Sequence, residues 1–235
     1  MTEGTQQRVG FSAIEGREAK AEKIIAILRA AGHPLTAEQK VLDIGTGSGQ
    51  IAAVFSKHAD LVAMDVIDQR TQGLELPFVA ATDALPFPDA SFDLIISNHV
   101  IEHTGDPGHH LKEVRRALRP DGIAYLATPN RWWPWEVHAR LPLLHYLPWR
   151  LFSGLGRALG RLHEPVQLLS LQDLAKEAEN SFRLDVWHPR ILKNPDHYAL
   201  KLPAWAGIVT RYLPDRLLTV TAGMQPTLIV LLHPK

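Results

Sequence analysis

A short glycine-rich loop is the first part of the chain whose residues could do chemistry. In residues 43–49, three glycines stand at alternate positions, after an apolar run and before a helical segment. Glycine permits positive φ and close backbone approach, so this loop predicts a ligand site. The spacing differs from the dinucleotide fingerprint, whose third glycine comes one residue later, and no Lys follows as in a P-loop. Asp43 disfavours a pyrophosphate and is compatible with an ammonium or a sulfonium group.

Two more aspartates follow the next two apolar runs. Asp65 ends the second run, where a carboxylate can accept both hydroxyls of a ribose, and Asp83 follows the third, where it can accept from an adenine amine. Each aspartate alone has a plainer explanation, a turn or strand-end cap for Asp43 and Asp65 and an Asx turn for Asp83. Together, after three successive strands, they favour a nucleoside site in the crevice of an open α/β sheet.

Strand-like and helix-like segments alternate around these residues. Apolar runs predict strands over residues 40–45, 61–65, 77–81, 91–97, 122–128, 183–188 and 226–233. Helices are predicted after a capping box at Ser12, stopped by Gly32, and over residues 50–58, 108–118 and from Ser170 onward. This alternation predicts an α/β fold, a parallel sheet covered by helices on both faces.

The composition is ordinary for a globular protein and excludes several kinds of site. The 235 residues are 46% hydrophobic and 21% charged with a formal net charge of zero, so we do not expect charge-driven nucleic-acid binding. The lack of cysteine excludes disulfides, thiol nucleophiles and zinc–cysteine sites. We see neither a secretory h-region nor a run of 18 apolar residues, and we therefore expect a cytoplasmic location.

Several motifs, in order and at matching spacing, resemble those of one family. Residues 41–49, Asp65 and residues 85–103 resemble the class I S-adenosylmethionine-dependent methyltransferases, most closely a small-molecule subgroup that includes ubiquinone-biosynthesis methyltransferases. The resemblance implies a Rossmann-like, mostly parallel sheet of seven strands with an antiparallel last strand, and S-adenosyl-L-methionine as cofactor. Residues 97–100 read Ser-Asn-His-Val, not the Asn-Pro-Pro-Tyr-type tetrad of the family's nucleic-acid branches, so we expect no nucleic-acid partner.

The same resemblance assigns the residues that contact the cofactor. It places the methionine part at the loop, the ribose at the end of the second strand, the adenine after the third and the sulfonium region after the fourth. The residues implied, in that order, are Asp43, Gly45, Thr46, Gly47 and Gly49, then Asp65 and Val66, then Asp83 and Ala84, and finally Asn98 and His99.

The chain is expected to form one domain over residues 1–235. Its parts are an N-terminal helix (1–37), a cofactor-binding core (38–130), a lid or substrate insertion (131–168) and the C-terminal part of the sheet (169–235).

Methyl transfer from a sulfonium is an in-line displacement that needs alignment and, for some acceptors, a base. His103, Glu136 and His138 are the candidate catalytic bases, since they follow the fourth and fifth strands. Each also has a plainer role: a hydrogen bond at a helix start for His103, a surface or packing role for His138, and a solvated acid for Glu136. With Glu102 they could form a divalent-metal site, but no ligand spacing is distinctive and we expect no metal.

The insertion after the fifth strand bears on the acceptor. Residues 1–130 contain 12 Lys and Arg and 17 Asp and Glu, so this part of the chain is acidic. Residues 131–235 contain 13 Lys and Arg and 8 Asp and Glu, so this part is basic. Residues 131–163 combine aromatic and basic side chains, and residues 151–162 could form an amphipathic basic helix. Three roles compete: a lid that stacks on the acceptor, a peripheral contact with anionic lipid, or packing at the sheet edge.

We expect O-methylation of a small-molecule, glycan or lipid-linked acceptor. The alternatives are C- or N-methylation in a quinone or natural-product pathway, or a module that binds the nucleoside without turnover. The oligomeric state does not follow from the sequence.

Overall fold

The computed structural model describes residues 11–82, 84–136, 141–143, 146–160, 166–198, 209–214, 216–218 and 225–235. The strands are β1 (Lys40–Ile44), β2 (Asp60–Asp65), β3 (Phe78–Ala80), β4 (Phe92–Asn98), β5 (Leu118–Pro129), β6 (Trp135–Glu136), β7 (Leu141–Pro142), β8 (Phe182–Val186) and β9 (Thr227–Pro234). The helices are α1 (Phe11–Ala30), α2 (Gln50–Phe55), α3 (Pro107–Ala117), α4 (Trp149–Ala158), α5 (Leu171–Ala178) and α6 (His188–Lys193), with a 3₁₀ turn at Ile101–His103.

Within the described residues, the main sheet has seven strands in the order β3-β2-β1-β4-β5-β9-β8. β3, β2, β1, β4 and β5 are parallel neighbours, and β9 runs antiparallel to both β5 and β8. The expected mostly parallel Rossmann-like sheet with an antiparallel last strand is confirmed. The strand order reverses beside β1, so β1 and β4 leave a crevice at their carboxyl ends.

Apolar side chains cover the sheet on both faces. On one face, Ile24, Ile27 and Leu28 of α1 recur at helical spacing and pack with strand residues in one buried cluster. On the other face, Leu111 and Val114 of α3 belong to a second cluster that also contains residues of α5. The two clusters hold the strand ends, and therefore the loops after them, in fixed positions.

The ends of the helices follow local signals in most places. Gly32, at φ 87°, follows the end of α1, and Ser170 forms a capping box with Asp173 at the start of α5, both as predicted. The start of α1 differs from the prediction, because α1 includes Phe11 and therefore already contains Ser12. β5 is longer than predicted because Leu118 pairs with Phe92 across a register shift in β4.

An insertion follows β5, as the sequence predicts. β6 and β7 pair with each other outside the main sheet, and α4 comes after them. One side of α4 buries Phe152 against Val166 and Leu168. The predicted single domain over residues 1–235 and its internal borders stay a prediction.

Candidate functional site

The loop between β1 and α2 has a backbone that only glycine adopts readily. Gly45, Gly47 and Gly49 have φ values of 67°, 54° and 77°. A Cβ atom added to Gly45 would lie 2.5 Å from Cγ2 of Val100, in the segment after β4. The loop therefore passes close to that segment and presents bare backbone at the crevice.

Asp65 joins this loop to the end of β2. Its Oδ2 accepts from the backbone N–H of Gly47 at 2.7 Å, and its Oδ1 accepts from the N–H of Val66 at 2.7 Å. A carboxylate has about four acceptor positions, so each oxygen keeps a lone pair for a ligand hydroxyl.

A cavity of about 370 Å³ opens at the carboxyl ends of β1, β2 and β4. Five of the residues singled out from the sequence line it: Gly45, Asp65, Val66, His99 and His103.

The other described candidates do not line the cavity, and two candidates lie outside the described part of the chain. Thr46, Gly47 and Gly49 belong to the loop beside it, Asp43 lies in β1, Asn98 ends β4, and Ala84 is an exposed neighbour of the wall residue Leu85. Glu136 lies in β6 of the insertion. Asp83 and His138 are outside the described residues, so their assignments stay predictions.

Asp43 is a buried carboxyl group near the end of β1. It is 2% exposed, and its Oδ2 atom has no hydrogen-bond partner among the described residues. Burial raises the pKa of Asp43 to about 7, and the negative charge of Asp65 acts in the same direction. A cationic ligand would offset this cost, so the residues present fit a sulfonium nucleoside with an ammonium group.

Arg17 is a residue that sequence reasoning missed. Its guanidinium donates to Oγ of Ser48 and lies 3.6 Å from where a Cβ on Gly47 would be. The arginine reaches the loop from α1, 31 positions earlier in the chain. No local pattern marks this contact, because it depends on how α1 packs over the loop.

One wall of the cavity follows β4 and carries a buried carboxylate. Glu102 is 0% exposed; its Oε1 lies 3.2 Å from Nδ1 of His99, and its Oε2 accepts from Thr128 Oγ1 at 3.0 Å. Burial works against ionisation of Glu102, but the hydrogen bond with His99 holds the pKa of Glu102 below its ordinary value. His110, a second residue missed from the sequence, also lines the cavity, and its Nε2 lies 3.0 Å from Oγ of Ser97.

The segment 85–89 is fixed by side chains of α3. Leu85 lines the cavity and donates its N–H to Oε2 of Glu113 at 2.9 Å, while Arg116 donates to the carbonyls of Leu85 and Phe87 at 2.8 and 2.7 Å. These hydrogen bonds hold the segment in place at the edge of the cavity.

Within the described ranges, no group of three or more His, Asp or Glu side chains is arranged to hold a metal ion.

Comparison with known proteins identifies the family of the chain. The family model described as "Methyltransferase domain" matches residues 16–181. The chain therefore belongs to the methyltransferase-domain family, whose class I members use S-adenosylmethionine.

Individual relatives match parts of the chain. A ubiquinone biosynthesis O-methyltransferase of Parvibaculum lavamentivorans is 34% identical over 39% of this chain and 41% of its own length. Across the first three curated relatives, the match spans 39% to 50% of the relative's length.

Solved structures share the fold over nearly the whole chain. A Mesorhizobium loti S-adenosylmethionine-dependent methyltransferase has a TM-score of 0.58 at 18% identity, covering 94% of this chain and 100% of its own. Haemonchus contortus phosphoethanolamine N-methyltransferase 2, in complex with S-adenosyl-L-methionine, has a TM-score of 0.55 at 14% identity. The match covers 97% of this chain and 58% of that protein's chain. At these identities the likeness shows the fold alone.

Proposed function

We propose that the protein transfers a methyl group from S-adenosylmethionine to a hydroxyl oxygen of a small-molecule, glycan or lipid-linked acceptor. The observation that carries this proposal is the cavity whose wall joins Gly45 and Asp65 to His99 and His103. A hydroxyl is a weak nucleophile until its proton is removed, and histidine is the side chain best suited to remove it near neutral pH. The name of the Parvibaculum relative supports an oxygen acceptor.

Different residues of the chain would bind different parts of the methyl donor, S-adenosylmethionine. Asp65 would accept the ribose hydroxyls, and Asp43 would face the cationic end. Arg17 has the charge and position to meet the carboxylate of the methionine part, and the segment that starts at Leu85 would cover the adenine. When bound, the donor supplies an electrophilic methyl group; the protein aligns it with the acceptor and excludes water.

A labelled-methyl experiment tests this function. The protein would be incubated with S-adenosyl-L-[methyl-¹³C]methionine and extract of the source organism, and the product followed by carbon-13 NMR. A new O-methyl resonance is expected. An N-methyl or C-methyl resonance would replace the proposal by C- or N-methylation, and nucleoside binding without any product would favour a non-catalytic module. Asp65→Ala is the negative control for donor binding.

The exposed side of α4 favours an acceptor at a lipid surface. Leu151, Leu155 and Leu159 are spaced four residues apart along one side and are 61%, 43% and 54% exposed. Of the apolar residues of the helix predicted over residues 151–162, Phe152 is buried, but these three leucines are exposed in the part of the chain that the structure describes. Arg150 and Arg157 are exposed beside it.

We propose that this side of α4 rests on an anionic lipid surface, because leucines can enter the acyl boundary while arginines meet phosphate headgroups. Among the described residues, no helix has the length and apolar character to cross a bilayer.

Vesicle sedimentation tests the lipid contact. Salt-sensitive binding to phosphatidylglycerol vesicles, and not to phosphatidylcholine vesicles, is expected. The triple substitution Leu151→Gln, Leu155→Gln and Leu159→Gln should abolish it, whereas Leu217→Gln, at another exposed leucine, should not. Binding that survives the triple substitution would contradict the proposal.

A further inference from the structure

The contact between Glu102 and His99 bears on which ring nitrogen of His99 carries the proton. An ionised carboxylate only accepts hydrogen bonds, so Nδ1 of His99, 3.2 Å from Oε1, must carry a proton and donate it. In the neutral ring the lone pair then resides on Nε2. Because His99 lines the cavity, this arrangement presents an unprotonated ring nitrogen on the wall of the donor site.

We propose that His99 is the catalytic base of methyl transfer and that Glu102 is the residue that positions it. The inference rests on the proposed O-methylation and names the proton acceptor for it. It differs from the expectation drawn from the sequence, which gave the base role to His103, Glu136 or His138.

The backbone at His99 supports a functional role. His99 has a φ of 60°, a left-handed conformation that costs a residue with a side chain free energy. Its N–H donates to the carbonyl of Ala127 at 2.8 Å, which ties it to β5. Such strain persists where the surrounding structure fixes it, and His99 is fixed by its backbone bond to β5 and by the contact of its ring with Glu102.

Glu102 is itself fixed from two sides. Thr128 of β5 donates to Oε2, and the backbone N–H of Gln167 donates to the carbonyl of Glu102 at 2.8 Å. With its carboxylate held by Thr128 and His99, Glu102 can orient the ring as the carboxylate of a catalytic triad does.

The other histidines of the cavity are arranged differently. His110 of α3 has Nε2 beside Ser97, and His103 lies on the exposed part of the 3₁₀ turn. Among the described residues, Asp65 and these two histidines are the other titratable groups that line the same cavity as His99. His99 is a cavity histidine whose ring nitrogen Nδ1 lies within hydrogen-bond distance of the buried Glu102 carboxylate.

The proposed step balances without another reactant. Nε2 of His99 takes the proton of the acceptor hydroxyl while the oxygen forms its bond to the methyl carbon. The carbon–sulfur bond breaks and its electron pair stays on sulfur, which leaves the neutral thioether nucleoside. The imidazolium then returns its proton to water.

The tautomer of His99 can be measured without knowing the acceptor. Long-range ¹H–¹⁵N NMR spectra of the full chain labelled with ¹⁵N-histidine, at a pH where the ring is neutral, should show His99 as the Nδ1–H tautomer. Loss of the signal in His99→Gln assigns it, and His58→Gln, an exposed histidine, serves as the matched control. Glu102→Leu should abolish the preference, and a melting curve checks that this variant folds. An Nε2–H tautomer in the wild type would overturn the positioning role even if Glu102→Leu fails to fold.

Kinetics test the base itself, with the acceptor identified by the labelling experiment. His99→Gln should lower kcat by about 10²- to 10⁴-fold, a far larger effect than any change in donor affinity. Glu102→Gln keeps the shape but removes the charge that orients the ring, so kcat should fall while donor affinity stays the same, and Glu102→Asp should restore kcat in part. Full activity of His99→Gln would overturn the base role. If the wild type methylates no hydroxyl, the proposed function fails and the base role with it, while the NMR result still decides whether Glu102 positions His99.

Discussion

The backbone N–H of Gly47 and the carboxylate of Asp65 are joined by a 2.7 Å hydrogen bond that links the loop after β1 to the end of β2, 18 positions later in the chain. The bond holds the glycine loop against the end of β2. It also orients the carboxylate whose remaining lone pairs face the cavity. Donor binding and loop geometry therefore depend on the same side chain.

Asp65→Ala should weaken binding of S-adenosylmethionine and S-adenosylhomocysteine by about 1–3 kcal/mol, because it removes hydrogen bonds to the ribose and frees the loop. Titration calorimetry measures the change. Asp60→Ala, at the exposed start of β2, is the matched control and should bind as the wild type does. Unchanged affinity in Asp65→Ala would refute the ribose assignment.

Gly45→Ala should destabilise the protein by about 1–3 kcal/mol, because it combines a positive φ with overpacking against Val100. Gly32→Ala separates the two effects, since Gly32 also has a positive φ but no atom lies within 4 Å of where its Cβ would stand. Denaturant unfolding should therefore show the larger loss for Gly45→Ala. Adding Val100→Ala should recover part of it, and no recovery would mean that the contact is not the cause.

Arg116→Lys should loosen the segment 85–89, because lysine cannot bond to the carbonyls of Leu85 and Phe87 at the same time. We expect faster hydrogen exchange in this segment and weaker donor binding. Arg115→Lys, the neighbouring position on α3, is the control. Equal exchange in the two variants would show that Arg116 does not hold the segment.

The sequence predicts the parts of this molecule that depend on local pattern. The alternation of strands and helices follows from hydrophobic period, and the loop that contains Gly45 follows from residue type and spacing. The bonds from Arg17 to Ser48 and from Thr128 to Glu102 join positions 31 and 26 apart, so they depend on helix packing and strand register. The pattern of α4 likewise predicts an apolar side but not whether another element covers it.

The raised pKa of Asp43 makes the stability of the ligand-free protein depend on pH. Its folded pKa of about 7 lies above the ordinary value of 3.8, so the folded state holds the proton more tightly than the unfolded state. The free energy of unfolding should therefore fall as pH rises from about 4 to 7. At about 1.4 kcal/mol per pKa unit, the full cost above pH 7 is on the order of 4 kcal/mol.

Asp43→Asn removes the ionisable group, so the variant should not lose this stability as the pH rises. Its melting temperature should exceed that of the wild type at pH 8, and the difference should shrink toward pH 5. Its affinity for S-adenosylmethionine should fall, because the cationic end of the ligand loses its carboxylate. Asp60→Asn should change neither property. A variant no more stable than the wild type at pH 8 would show that the buried carboxyl is not held at a raised pKa, whereas greater stability with full affinity would place the cationic end of the ligand elsewhere.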